Sequence, residues 1–359
     1  MKKIKLLSLC VVIVIMLLSI LVIFSNAQDK KQLTFMMISR NIADPFHAII
    51  ANGAKNVCDE LGVRFILKDS NTDLTTQLNL IDSAITMGVD GVAINAVDQK
   101  GVVPGIKALN DAGIPVVGFD CIAEGGKMIG AIGIDNYKVA QTGAVVMGKL
   151  LEDKYKGNIP SDGVILNIQG MMAILIAQER SNGFTDYIEK HYPQLKIASA
   201  QGNFNPTDAN RVTSDLLTRY GNKVIAINLC TGCMADGVAA AVETSGYSLK
   251  DIIFVDNGNF PIDTKLIEEG KLDSSVVIPC SPQGVLSMKI LYWYVNGMID
   301  KLPVAGKLLI EEGAAWSPAT VIEGAVGPVI QENCSLLCPQ DVPITDPILL
   351  ANEIIALEK

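Results

Sequence analysis

A chain of 359 residues with 49% hydrophobic residues holds enough apolar material for two domains or one large one. Its formal net charge of −9 argues against a nucleic-acid partner, since nothing in the composition supplies a basic phosphate-binding surface. Aromatic residues make up only 5%, so a single Phe in a loop is informative.

The N-terminus sets the compartment. Lys2, Lys3 and Lys5 precede an uncharged run, residues 6–24, broken only by Ser8 and Ser19. Ser25, Asn26 and Ala27 follow, then a polar stretch. This is the layout of an export signal cut most simply after Ala27. The apolar run is also close to the ~20 residues that cross a bilayer, so a retained anchor is the competing reading of residues 1–27. Cys10 lies at the start of the run, after Leu9, which is the wrong place for lipidation.

Short apolar runs then alternate with amphipathic ones. Residues 33–38 read as a strand. Asp44 caps a helix that has Pro45 in its first turn, and Gly62 ends it. Strands are expected at 63–67 and 90–95, with helices at 74–87 and 103–112. A buried strand at 114–120 ends in Asp120. The rhythm repeats with strands at 164–168, 197–201, 224–228, 252–256 and 275–278. Such alternation implies an α/β chain of parallel sheets covered by helices on both faces, and its two blocks imply two Rossmann-like lobes.

Ligands of open parallel sheets bind beyond the C-terminal strand ends. The residues there are Arg40, Asn41, Asp44, Phe46 and His47, then Asp120 and Cys121. In the second half they are Gln169, Gly170, Phe204, Asn205, residues 230–233, Asp256 and Asn257. Phenyl faces suit sugar C–H groups, while Asp, Asn and Arg hydrogen-bond hydroxyls. No strand is followed by GxGxxG or GxxxxGK[ST], so neither a dinucleotide site nor a P-loop is expected.

At these residues the chain, over about 33–302, resembles the ribose-type sugar-binding proteins of the type I periplasmic binding protein family, which feed ABC importers. Asp44-Pro45-Phe46-His47 is similar to that family's Asn-Pro-Phe-Phe segment. Residues 113–120 match its "GIPV…D" strand, and Ile134-Asp135-Asn136 matches a segment at its first interlobe crossover. Residues 178–184 match the "RERGEGF" helix, whose second Arg is Arg180 here. Phe204 stands where the family has a stacking Phe, and Val255-Asp256-Asn257 falls on the "FD" strand end. The resemblance implies two lobes hinged by three crossovers. Residues 33–134 plus 279–311 would form lobe one, and 135–278 plus 312–359 lobe two.

It also implies a ligand site built from Arg40, Asp44, Phe46, His47, Asp120 and Cys121 on lobe one, and from Arg180, Phe204, Thr231 and Asp256 on lobe two. The sequence departs from the pattern at Cys121, where the family has Arg, and at Thr231-Gly232, where it has Asn-Asp. It departs again at Pro279, where a ligand-binding Gln is usual. These departures argue against ribose itself.

Seven cysteines follow Ala27. Cys230 and Cys233 form a CxxC, read as a structural disulfide or as two plain thiols rather than a redox pair. Cys121, Cys230, Cys233 and Cys280 all follow strands, which leaves open a soft-metal or thiol-reactive cleft, although no metal or other cofactor is the expected state. With only His47 and His191 as histidines, no Ser-His-Asp or Cys-His order is supported, and the expectation is a binder rather than an enzyme. The expected partners are a small sugar or sugar-like ligand and an importer permease. The alternatives are a membrane-tethered sensor that signals to a histidine kinase, and a receptor for an autoinducer-2-type signal.

Overall fold

The computed structural model describes residues 31–258, 260–311, 319–331 and 335–337. The apolar N-terminal run, Trp316, Cys334, Cys338 and the C-terminal tail lie outside these residues. Among the described residues no helix is long and apolar enough to cross a membrane.

The first block alternates β1 (Thr34–Ser39), α1 (Pro45–Leu61), β2 (Arg64–Asp69), α2 (Leu74–Met87), β3 (Gly91–Ile94), α3 (Val103–Asp111), β4 (Val116–Phe119) and β5 (Gly130–Gly133). The second block runs α4 (Asn136–Tyr155), β6 (Val164–Gln169), α5 (Leu175–His191), β7 (Lys196–Gln201), α6 (Pro206–Tyr220) and β8 (Val224–Leu229). It continues with α7 (Ala235–Thr244), β9 (Ile253–Gly258), α8 (Pro261–Glu268) and β10 (Ser274–Val277). Then come α9 (Cys280–Val295), β11 (Leu308–Leu309), β12 (Ala319–Gly324), β13 (Gly327–Gln331) and β14 (Ser335–Leu337).

Two sheets result. Sheet one has the order β11-β12-β13-β5-β4-β3-β1-β2, and sheet two β14-β10-β9-β8-β6-β7. Every strand from β1 to β10 pairs in parallel with its neighbours among β1 to β10. The period-2 alternation of a strand explains why both faces of each sheet need helices. On β1, Phe35 and Met37 pack into the core under α1 and α9, while Met36 and Ile38 pack under α2 and α3. On β6, Leu166 and Ile168 face α6 and α7, while Ile165 faces α4 and α5. Each such fully buried side chain contributes roughly 1.5–3 kcal/mol by leaving water.

The caps fall where the sequence puts them. The Asp44 side chain accepts from the Phe46 N–H at 2.9 Å, and Gly62, at φ +68°, closes α1 in the left-handed conformation. The lobes are joined by residues 134–135 between β5 and α4, by residues 278–279 between β10 and α9, and by the passage from Gln331 to Ser335. The first and third passages start side by side, because Gln331 is in register with Gly133.

The C-terminal region corrects the expected boundary. The sequence places residues 312–359 in lobe two, but β12 and β13 belong to sheet one. They form a hairpin whose second strand pairs in parallel with the open edge of β5, satisfying backbone groups that β5 would otherwise leave unpaired. Only β14 joins sheet two, antiparallel to β10.

Candidate functional site

The C-terminal strand ends of both sheets open onto one interlobe cleft. Lobe one lines it with Arg40 and Asp44 from the β1–α1 connection, Phe46 from the first turn of α1 and Asp120 just after β4. Lobe two contributes Ile174 and Ile176 at the start of α5, Arg180 one turn on, and Phe204, Thr231, Cys233 and Phe260 from the loops after β7, β8 and β9.

Asp120 is the centre of the lobe-one half. It follows the last residue of β4 and has φ +55°, a left-handed conformation that a non-glycine residue adopts at a cost of order 1 kcal/mol or more. Its Oδ2 lies 3.0 Å from Asn95 Nδ2 and 3.4 Å from His47 Nε2. Burial alone would raise its pKa, but the His47 hydrogen bond, the nearby Arg40 and His47 charges and the Asn95 donor hold it down to about 2. A carboxylate fixed in this way is a strong acceptor for ligand hydroxyls.

His47 stands behind this wall rather than in it. It is 2% exposed and does not line the cleft. Its Nδ1 is 3.8 Å from Asp44 Oδ2, so the imidazole bridges the two cleft carboxylates from behind. Phe46 meets it edge-on, with ring centroids 5.5 Å apart. Asn95, which no motif pointed to, does similar work: its Oδ1 accepts from the Cys121 backbone N–H while its Nδ2 donates to Asp120.

Arg180 is the centre of the lobe-two half. It is 6% exposed, with Nε donating to Asn136 Oδ1 at 2.9 Å and one terminal nitrogen donating to the Cys230 carbonyl at 3.0 Å. The guanidinium is thus braced against both the first crossover and the loop after β8, and it still lines the cleft. Backbone packing sets its position. Gly183, one turn further along α5, lies so close to α4 that a Cβ there would collide with the Tyr137 carbonyl oxygen. Gly284 plays the same part between α9 and α1, where a Cβ would strike the Ile50 carbonyl oxygen. Phe204, at φ +57°, presents its ring from a loop whose Asn205 caps α6.

The structure therefore brings Arg40, Asp44, Phe46, Asp120, Arg180, Phe204 and Thr231 onto one cleft. Cys121 lies on a neighbouring stretch with Asn136, Glu179 and Gln331, and burial pushes its thiol up to about 12. Asp256 is not on the cleft. It is the fourth residue of β9, 0% exposed, in register with Ser275 and beside Asp263. Burial, and then the Asp263 charge, raise its pKa well above the usual carboxylate range.

None of Cys58, Cys121, Cys230, Cys233 and Cys280 is in a disulfide, so of the two readings of the CxxC spacing the structure has two plain thiols at Cys230 and Cys233. Of the four cysteines that follow strands, Cys121 and Cys233 reach cleft surfaces, and no group of three or more His, Cys, Asp or Glu residues suited to a metal ion occurs among the described residues. Sequence reasoning did not place Asn95, Asn136 or Phe260 in the site. Asn136 had a signal, the match of Ile134-Asp135-Asn136 to a crossover segment, whereas Asn95 only ended a strand run.

Residues 35–298 match the family model described as a periplasmic binding protein domain. The chain is 26% identical over 290 residues to the ribose import binding protein of Salmonella typhimurium, covering 80% of this chain and 93% of that one. It is 30% identical over 241 residues to the D-ribose/D-allose-binding protein of Pseudomonas aeruginosa, covering 62% of this chain and 72% of that one. Among solved structures, it superposes with a TM-score of 0.71 on an ABC transporter periplasmic solute-binding protein of Actinobacillus succinogenes with bound D-allose, at 16% identity and covering 86% of this chain and 98% of that one. A solute-binding protein of Bacillus halodurans with bound myo-inositol gives a TM-score of 0.70 at 21% identity, covering 92% and 99%. These two likenesses are likenesses of fold.

Proposed function

Because the chain belongs to the periplasmic binding protein family, we propose that it is the extracytoplasmic receptor of an ABC importer, closing on a small sugar or polyol and presenting it, chemically unchanged, to a permease. The observation that carries this reading is the pairing, across one cleft, of a strand-end carboxylate from lobe one, Asp120, with a braced guanidinium from lobe two, Arg180, between the phenyl rings of Phe46 and Phe204. A polyol hydrogen-bonded by both groups joins the lobes, and that differential binding is what favours a closed state.

Phe46 links ligand to hinge. It packs against Val139, Val276 and Ile278 together with Ile134, residues in or beside the first two passages between the lobes. Export by the N-terminal segment supplies the compartment. Cys121, Thr231 and Pro279 stand where the resemblance implies polar ligand groups, so ribose is not the expected ligand. A membrane-tethered sensor is the second reading, favoured by the length of the 6–24 run.

A thermal-shift screen over pentoses, hexoses, polyols and autoinducer-2 tests the reading. A true ligand at a hundred times its Kd stabilises by about 2.7 kcal/mol. No shift with any sugar or polyol overturns it, and a shift with autoinducer-2 alone moves the protein to signalling.

A further inference from the structure

We infer that the pole of lobe one remote from the cleft is a membrane-lipid contact surface, held against the bilayer by residues 6–24 as a retained anchor. This goes beyond the receptor reading and rests on it only for export. Ile299, Val304, Leu308 and Ile310 are 62%, 48%, 59% and 69% exposed. Large aliphatic side chains gathered at this density on a surface mark a site that something apolar covers. Val304, Leu308 and Ile310 line one groove with Leu61 and Trp293.

The chain enters lobe one at the rim of this groove. Gln32 Nε2 donates to the Gly62 carbonyl at 3.2 Å, next to Leu61, and Leu33 packs into the same core cluster as Leu61 and Leu302. Only residues 25–30 separate the apolar run from Lys31. Six residues reach at most about 20 Å. The uncharged run of residues 6–24 is close to the ~20 residues that cross a bilayer. A retained run therefore holds this pole, and no other face, at the bilayer surface.

The orientation suits a receptor. α1 starts at the cleft with Asp44 and ends at the groove with Leu61, so the cleft points away from the membrane. Lys301 and Lys307 also line the groove, but so do Glu60 and Asp300. Aliphatic area rather than net charge carries the contact, and added salt leaves it in place.

The test uses the full chain reconstituted at one copy per nanodisc of mixed phosphatidylcholine and phosphatidylglycerol, probed by hydroxyl-radical footprinting with mass spectrometry. In the disc, oxidation at Ile299, Leu308 and Ile310 is expected to fall at least about threefold against the same chain carrying a long Gly-Ser insertion after Ala27, which frees the pole from the surface. Met171 and Leu175, exposed on lobe two, are expected to be unchanged. Equal oxidation in the two chains overturns the inference. So does cleavage of residues 1–27 in the host membrane, or protection that appears only with two copies per disc, which assigns the patch to self-association. The sugar-induced thermal shift is read on the same samples. Its survival without pole protection sinks this inference alone, and its loss with protection intact sinks the receptor reading alone.

Discussion

Two aspartates, each closing an apolar strand in the sequence, have opposite fates in the two lobes. Asp120 comes one residue after β4 has ended, turns into a left-handed conformation and meets the cleft. Asp256 comes two residues before β9 ends, and the strand ladder aims it into the lobe beside Asp263. Hydrogen bonds and positive charge hold the first at about 2 against its burial, whereas nothing comparable offsets the burial of the second, whose pKa rises. A strand-end carboxylate reaches the cleft when the ladder stops before it, and is a cost to the core when the ladder runs past it.

The sharpest way to break this contrast is to neutralise each in turn. Asp120→Asn removes a charge-assisted acceptor worth about 1.5–3 kcal/mol, so titration calorimetry with the ligand from the screen is expected to show Kd weakened roughly 10- to 100-fold. Asp256→Asn is expected to leave Kd within about twofold, since the residue does not line the cleft. Equal losses from both would put Asp256 back in the site.

Packing comes next. Gly183→Val forces α5 from α4 and shifts Arg180 from Asn136. We expect a loss of about 1–3 kcal/mol in denaturant unfolding together with weaker ligand binding. Unchanged affinity would show that Arg180 does not depend on this contact.

The two carboxylates also predict opposite pH dependences. Asp120 has a lowered pKa, so its contribution to stability is complete above the ordinary aspartate value near 3.9 and fades as pH falls through about 2. Asp256 has a raised pKa, so its contribution is greatest in acid and is lost as pH rises through the raised value. Relative to wild type, Asp256→Asn should gain in melting temperature as pH rises above the ordinary aspartate value near 3.9, by about 2–4 °C for each kcal/mol relieved. A gap that is flat with pH would show that Asp256 does not titrate on folding.

The smallest effect concerns the thiols. Burial pushes Cys121 and Cys233 up to about 12, so intact-mass analysis after iodoacetamide treatment near neutral pH should find both largely unmodified until denaturant is added, with sugar affinity unchanged. Rapid native modification would reopen the idea of a reactive cleft.

These contrasts show what was legible in the sequence. The alternation of strands and helices, the Asp44 cap, the Gly62 stop and the strand-end position of Asp120 are local patterns, and period and spacing reveal them. Asp256 was misplaced because a ladder's last rung depends on neighbouring strands rather than on its own residues. Asn95 was passed over because its role exists only once β3 and β4 lie side by side. His47 was placed in the site, but its neighbours in sequence do not say that it supports the carboxylates from behind. The hairpin of β12 and β13 was assigned to the wrong lobe because its parallel partner, β5, lies far upstream in the chain.

That last pairing also sets an order of assembly. Sheet two's central strands run without interruption from Val164 to Val277, whereas sheet one waits for Gln331, and α1 waits for α9. A chain delivered from its N-terminus can therefore complete the core of its second lobe while its first is still missing a helix and an edge. Contacts at such sequence separation form slowly. Lobe one is then completed only as the last part of the chain arrives, so a chain cut short before β13 leaves the outer edge of β5 unpaired.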